Sequence, residues 1–109
     1  MLKRAERLSR EQFAYYGKAG KKLHGEHASI NRSHSPTFHA SVVVSKKVAK
    51  SAVVRNTLRR LVYAQLYALK VTGETGVFII FLKPGAAAIS KAALRVAVAE
   101  LIERTLKAA

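Results

Sequence analysis

Arg55, Asn56, Arg59 and Arg60 are spaced to put four strong hydrogen-bonding side chains on one side of a helix. Arg55 and Arg59 stand four residues apart, as do Asn56 and Arg60, so each pair meets on the same face. Arginine offers a planar fork of donors that matches phosphate oxygens two at a time. Asn56 can donate to a phosphate or a 2′-hydroxyl, or brace an arginine. No acidic residue sits at helical spacing on this face to neutralise it. Lys46, Lys47 and Lys50 precede the helix, where free backbone N–H groups and a partial positive charge make a phosphate seat. The chemistry on offer is binding of a polyphosphate backbone; the competing reading is a solvated charged face.

His24, His27, His34 and His39 fall within a short stretch. Imidazoles can ligate a metal or serve as general acid and base near neutral pH. A zinc site or a two-histidine ribonuclease is therefore conceivable. Their strand-and-turn setting fixes no ligand spacing, and Pro36 divides the group, so RNA contact or plain surface is preferred. The six acidic residues are all glutamate: Glu6, Glu11, Glu26, Glu74, Glu100 and Glu103. Two-metal nuclease chemistry needs several carboxylates converging on the ions. Here they are scattered, and Glu100 and Glu103 lie on an ordinary amphipathic helix. No catalytic residue and no metal ligand is assigned.

The charge balance agrees with the arginine face. Twenty Lys+Arg oppose 6 acidic residues, a formal +14 in 109 residues. Such a chain repels itself unless a polyanion offsets the charge. Nucleic acid, an anionic membrane or an acidic protein could do so; nucleic acid suits this charge density best. There is no cysteine, which excludes disulfides and thiol chemistry and suits a reducing compartment. No run of about 18 apolar residues is present, and the basic N-terminus lacks a signal-peptide core. A soluble cytoplasmic protein with no membrane association is expected, folded as one domain over 1–109.

The elements that must position these residues follow from pattern. Residues 7–17 suggest a first helix, with Ser9 and Gln12 forming a capping box and Gly17 and Gly20 ending it. Lys3, Arg4, Arg7 and Arg10 add charge near it. Strands are expected at 21–24, 27–32 and 38–45, with turn chemistry at Ser33–Pro36. Over 49–70, Val54, Leu58, Leu61, Val62, Leu66 and Leu69 gather opposite the arginine face, giving a helix with one core side and one basic side. The apolar run 77–82 reads as a strand covered on both faces. Ser90 caps a last helix to about Leu106, with Leu94, Val98, Leu101, Ile102 and Thr105 as its core stripe. The order helix-strand-strand-strand-helix-strand-helix predicts an α/β two-layer sandwich on a small mixed sheet.

The segment Val44 to Leu61, with Ser45-Lys46-Lys47 leading into Arg55-Asn56 and then Leu58-Arg59-Arg60, resembles the signature of the bacterial ribonuclease P protein family. Thr57 departs from it, since the family usually places a further arginine there. The likeness extends over nearly the whole chain: 1–8 and Phe13 resemble the opening helix, Gly20 the entry to the first strand, and 77–86 and Ser90 onward the closing strand and helix. The resemblance implies a left-handed crossover in the β-α-β unit, against the right-handed rule that holds in about 98% of cases.

It also implies a function. This would be the protein subunit that binds ribonuclease P RNA and the single-stranded 5′ leader of precursor tRNA, while the RNA cuts the leader off. Arg55, Asn56, Arg59 and Arg60, with Lys46, Lys47 and Lys50, would contact the RNA subunit. Phe13 matches one leader-stacking aromatic of the family. The second family position falls on Gly17, so Tyr15 or Tyr16 would take its place, and Phe38 is a further candidate. Magnesium would come with the RNA, and neither a tightly held cofactor nor a protein partner is required. A ribosomal or assembly protein is the main alternative, and a histidine-based ribonuclease the second.

Overall fold

The computed structural model describes residues 6–108. Lys3, Arg4 and most of the segment likened to the family's opening helix lie outside the described residues.

The elements run α1 (Arg10–Ala19), β1 (Lys21–His24), β2 (Ala28–Ser33), β3 (Phe38–Val43), α2 (Ala52–Val71), β4 (Gly76–Leu82), a 3-10 turn (Pro84–Ala87) and α3 (Lys91–Lys107). The capping box forms as the sequence predicts: Gln12 N–H donates to Ser9 Oγ, and Ser9 N–H donates to Gln12 Oε1. Arg7 and Leu8 are not helical. They lie along β3, with Leu8 N–H donating to the Ala40 carbonyl at 3.2 Å. Gly17 does not end α1 but sits inside it, and Gly20 caps it. α2 starts later than the apolar pattern suggests, because Ser51 accepts from Val54 N–H and fixes the first turn.

The strands form one sheet in the order β1-β2-β4-β3. β1–β2 and β2–β4 are antiparallel and β3–β4 is parallel, so β3, α2 and β4 make a β-α-β unit. β4 is central, which explains its unbroken apolar sequence. Gly76 opens it at φ 122°, a conformation that favours glycine.

Strand alternation gives the sheet two unlike faces. On one, Ile30, Phe38, Ala40, Val42, Phe78, Ile80 and Leu82 pack under the two long helices. α2 contributes Leu58, Leu61, Val62, Leu66 and Leu69, and α3 contributes Leu94, Val98, Leu101 and Ile102. Each fully buried aliphatic side chain stabilises the fold by about 1.5–3 kcal/mol relative to exposure. Val54 is the exception to the predicted stripe: it is 42% exposed, because the first turn of α2 lies beyond this packing. The other face carries Lys22, Asn31, His39, Ser41, Val43, Ile79 and Phe81, and α1 packs on it.

The outer edge of β3 is closed by side chains as well as by residues 7 and 8. Val42 N–H donates to the Tyr63 hydroxyl at 3.2 Å, and the Arg7 guanidinium lies 5.5 Å over the Tyr63 ring. Glu6 pairs with Lys70 of α2. An edge covered this way does not template pairing with another chain.

Candidate nucleic-acid interface

The strand-to-helix junction is built around Val48. Its side chain is buried, and its N–H bonds the Ser45 carbonyl at 3.0 Å. This pins the turn and leaves Lys46, Lys47 and Lys50 exposed around the start of α2. The first turn of α2 contains no acidic residue, so its N–H groups and three ammonium groups present one positive surface.

The arginine face divides into two halves. Asn56 and Arg60 are exposed, as expected. Arg55 and Arg59 are half-buried and fold back onto the chain. Arg55 Nη1 donates to the carbonyls of Ala49 and Lys50 at 2.9 and 2.8 Å. Arg59 donates from Nη2 to Val44 O at 3.4 Å and from Nη1 to Asn56 Oδ1 at 2.5 Å. These carbonyls lie between β3 and α2, and the guanidinium forks brace them. Both Arg55 bonds use Nη1 alone, so its other donors stay available to a ligand. Thr57 donates to the Val53 carbonyl of its own helix. Among the described residues, ion pairs join Glu6 to Lys70 and Glu103 to Lys107, and Glu26 lies 3.9 Å from His27, so none of the carboxylates in these contacts compensates the junction cations.

A second cationic and aromatic surface lies under α1. Phe13 meets Phe81 edge-on, with ring centroids 6.1 Å apart, and Lys22 Nζ stands 5.1 Å over Phe81. A Cβ at Gly17 would meet nothing within 4 Å, so the place of a second aromatic is open space. Tyr16 does not join the Phe13 platform. Its ring meets Tyr15 edge-on at 4.9 Å, and both tyrosines line a cavity at the β1 end of the sheet. Phe38 has to be removed from the expected leader contacts. It is 7% exposed and stacked on Phe78 on the helix-covered face, with the sheet between it and Phe13.

The family model described as "Ribonuclease P" matches residues 2–106. The chain belongs to the ribonuclease P protein family. It is thereby a protein subunit of ribonuclease P, an RNA-binding component of tRNA processing whose partner is ribonuclease P RNA. The ribonuclease P protein of Staphylococcus aureus has the same fold, with a TM-score of 0.86 at 17% identity, covering 94% of this chain and 96% of that one. A mutant of the S. aureus protein with defective mRNA degradation activity gives 0.80 at 18% identity, over 93% and 88%. A further S. aureus structure gives 0.72 at 17%, over 94% and 91%. None of the curated proteins matches the chain.

Membership in the ribonuclease P family decides against the ribosomal alternative. The four histidines are spread along the sheet: His24 in β1, His27 just before β2, His34 between β2 and β3, and His39 in β3. His24 and His39 lie on the outermost strands, with β2 and β4 between them, and His24 is level with Val43 rather than with His39, so three strand spacings of about 4.8 Å set only the lower bound on their separation. His39 Nε2 shares a hydrogen bond with Thr37 Oγ1, and His27 faces Glu26. Among the described residues, no three His, Cys, Asp or Glu side chains are grouped to hold a metal ion. Sequence reasoning missed Lys22, Phe81 and Asn31. Strand parity could have placed Lys22 and Asn31 on one face, but not said which face that was.

Proposed function

We propose that this ribonuclease P subunit leaves the cutting of RNA to its RNA partner. It would seat that RNA on the β3–α2 junction and hold the 5′ leader of precursor tRNA against α1. The observation that carries this reading is the uncompensated positive junction: exposed Lys46, Lys47, Lys50 and Arg60 around a helix N-terminus without a carboxylate. Arg55 and Arg59 hold the junction in shape and add their outward donors, and Asn56 orients Arg59. Phosphates docked there lose their mutual repulsion, which lets the RNA pack tightly around its magnesium ions. The metal and the attacking water belong to the RNA, and the protein supplies charge and grip. Phe13 gives the leader sequence-tolerant stacking, with Lys22 beside Phe81 for its backbone, and Tyr16 stands apart from that platform, beside Tyr15, where the leader would pass next. The place of action is the cytoplasm, where precursor tRNA is made.

Reconstitution tests this. The purified chain, added to a ribonuclease P RNA and precursor tRNA at low magnesium, should stimulate a single cut at the mature 5′ end. The chain alone should leave the substrate intact. Cleavage by the protein without RNA, surviving extensive purification, would overturn the division of labour.

A further inference from the structure

The cavity holding Tyr15 and Tyr16 lies beyond the Phe13–Phe81 pair. It has a volume of about 540 Å³ and is walled by the end of α1, β1, and the last turn of α3. That is within the usual range of about 300–1,000 Å³ for small-ligand sites. Lys21, Lys22 and Arg32 line it, together with Thr105, and no carboxylate of the described residues does. Arg32 is a fixed wall: its Nη1 donates to the Thr105 carbonyl at 3.2 Å, and its guanidinium lies 5.7 Å over Phe78. Tyr15 is 66% exposed, yet its ring is set edge-on by Tyr16, which leaves a ring face for stacking.

We propose that this cavity is a nucleotide subsite for single-stranded RNA, holding a leader base upstream of those at Phe13. The proposal rests on the leader reading above. Tyr15 would stack the base, and Lys21 and Lys22 would take the flanking phosphates. Lys22 joins the two places, because it lines the cavity while its ammonium stands over Phe81. A strand lying on Phe13 and Phe81 therefore meets this cation next, and then the tyrosines. A duplex cannot use such a hollow, since its bases are stacked inward; an unpaired nucleotide can turn its base in. The outer edge of β1 pairs with no strand among the described residues, so its backbone groups are open to the same ligand.

Holoenzyme reconstituted with wild-type, Tyr15→Ala, Lys21→Ala or Phe13→Ala protein is titrated with precursor tRNAs of increasing leader length. Loss of one base stack weakens binding about five-fold or more. Tyr15→Ala and Lys21→Ala should cost that much for long leaders and nothing for the shortest. Phe13→Ala should weaken short and long leaders alike. If the Tyr15→Ala and Lys21→Ala curves follow wild type while Phe13→Ala still weakens binding, the subsite is refuted and the leader reading stands. If Phe13→Ala is also silent, both fail. If Tyr15→Ala weakens binding of the RNA subunit itself, equally for every leader, the cavity serves that RNA and the proposal is overturned.

Discussion

Asn31, in the middle of β2, donates from Nδ2 to the Gly17 carbonyl of α1 at 3.0 Å, and to the Tyr16 carbonyl at 3.3 Å. Asn31 is 1% exposed, whereas α1 has no buried residue of its own. The helix is therefore held on the sheet mainly by this amide and by Phe13 against Phe81. Replacing Asn31 with Asp keeps the shape but removes both donors and adds a buried charge. Losing one partner of a buried hydrogen bond costs about 1–3 kcal/mol. Asn31→Asp should lower the melting temperature and speed hydrogen exchange across 10–19, while α2 and α3 keep their protection. Unchanged exchange in α1 would mean that the amide is not its anchor.

Gly20 makes that anchor possible. A Cβ there would stand 1.7 Å from Asn31 Oδ1, 2.6 Å from Ser33 Oγ and 2.8 Å from the Arg32 carbonyl. Neither the backbone oxygen nor the buried amide can retreat freely. Gly20→Ala should destabilise the protein by about 1–3 kcal/mol or more, the usual penalty of overpacking. Gly17→Ala, where a Cβ meets open space inside a helix, should be neutral or stabilising by about 0.5–1 kcal/mol. Denaturant midpoints for the two variants check the contrast, and equal midpoints would contradict it.

Much of this architecture is written in local pattern. The spacing of Leu58, Leu61, Val62, Leu66 and Leu69 allows only one buried stripe, and Ser9 with Gln12 is a self-contained cap. What escaped the pattern depends on long-range partners. Arg55 belongs by periodicity to a solvent face, but the carbonyls of Ala49 and Lys50 lack strand or helix partners and draw it inward. Phe38 alternates correctly along β3, yet alternation cannot tell which face the long helices cover. Gly17 reads as a helix end because glycine is a poor helix former, but the two bonds from Asn31 hold that turn together. Val54 fits the wheel, which assumes that packing continues to the helix end.

The divided arginine face predicts two kinds of variant. Arg55→Ala removes the brace on two loop carbonyls as well as a phosphate donor. It should lower thermal stability and RNA affinity together. Arg60→Ala removes an exposed side chain that makes no ion pair among the described residues, so it should weaken RNA binding at unchanged stability. Arg55→Lys should not rescue, because one ammonium cannot both bridge the carbonyls and keep a fork of donors outward. Paired melting and RNA-binding titrations separate the cases. Full rescue by lysine would reduce Arg55 to a simple charge.

Salt dependence tests whether the junction lysines neutralise phosphates or merely face water. Each phosphate contact releases counterions, so log affinity falls with log salt by about 0.7–0.9 per contact. Lys46, Lys47 and Lys50 are exposed and take part in no ion pair among the described residues, so replacing them removes no internal bond to a carboxylate. The triple alanine variant should fold normally and bind ribonuclease P RNA more weakly at low salt. Its slope should be shallower than wild type by about 2–3 units if all three touch phosphate. At high salt the two binding curves should converge, because the lost term is the one that salt already suppresses. A variant that binds more weakly by the same factor at every salt concentration would show that these lysines act through shape or hydrogen bonding instead, and the electrostatic seat at the start of α2 would have to be given up.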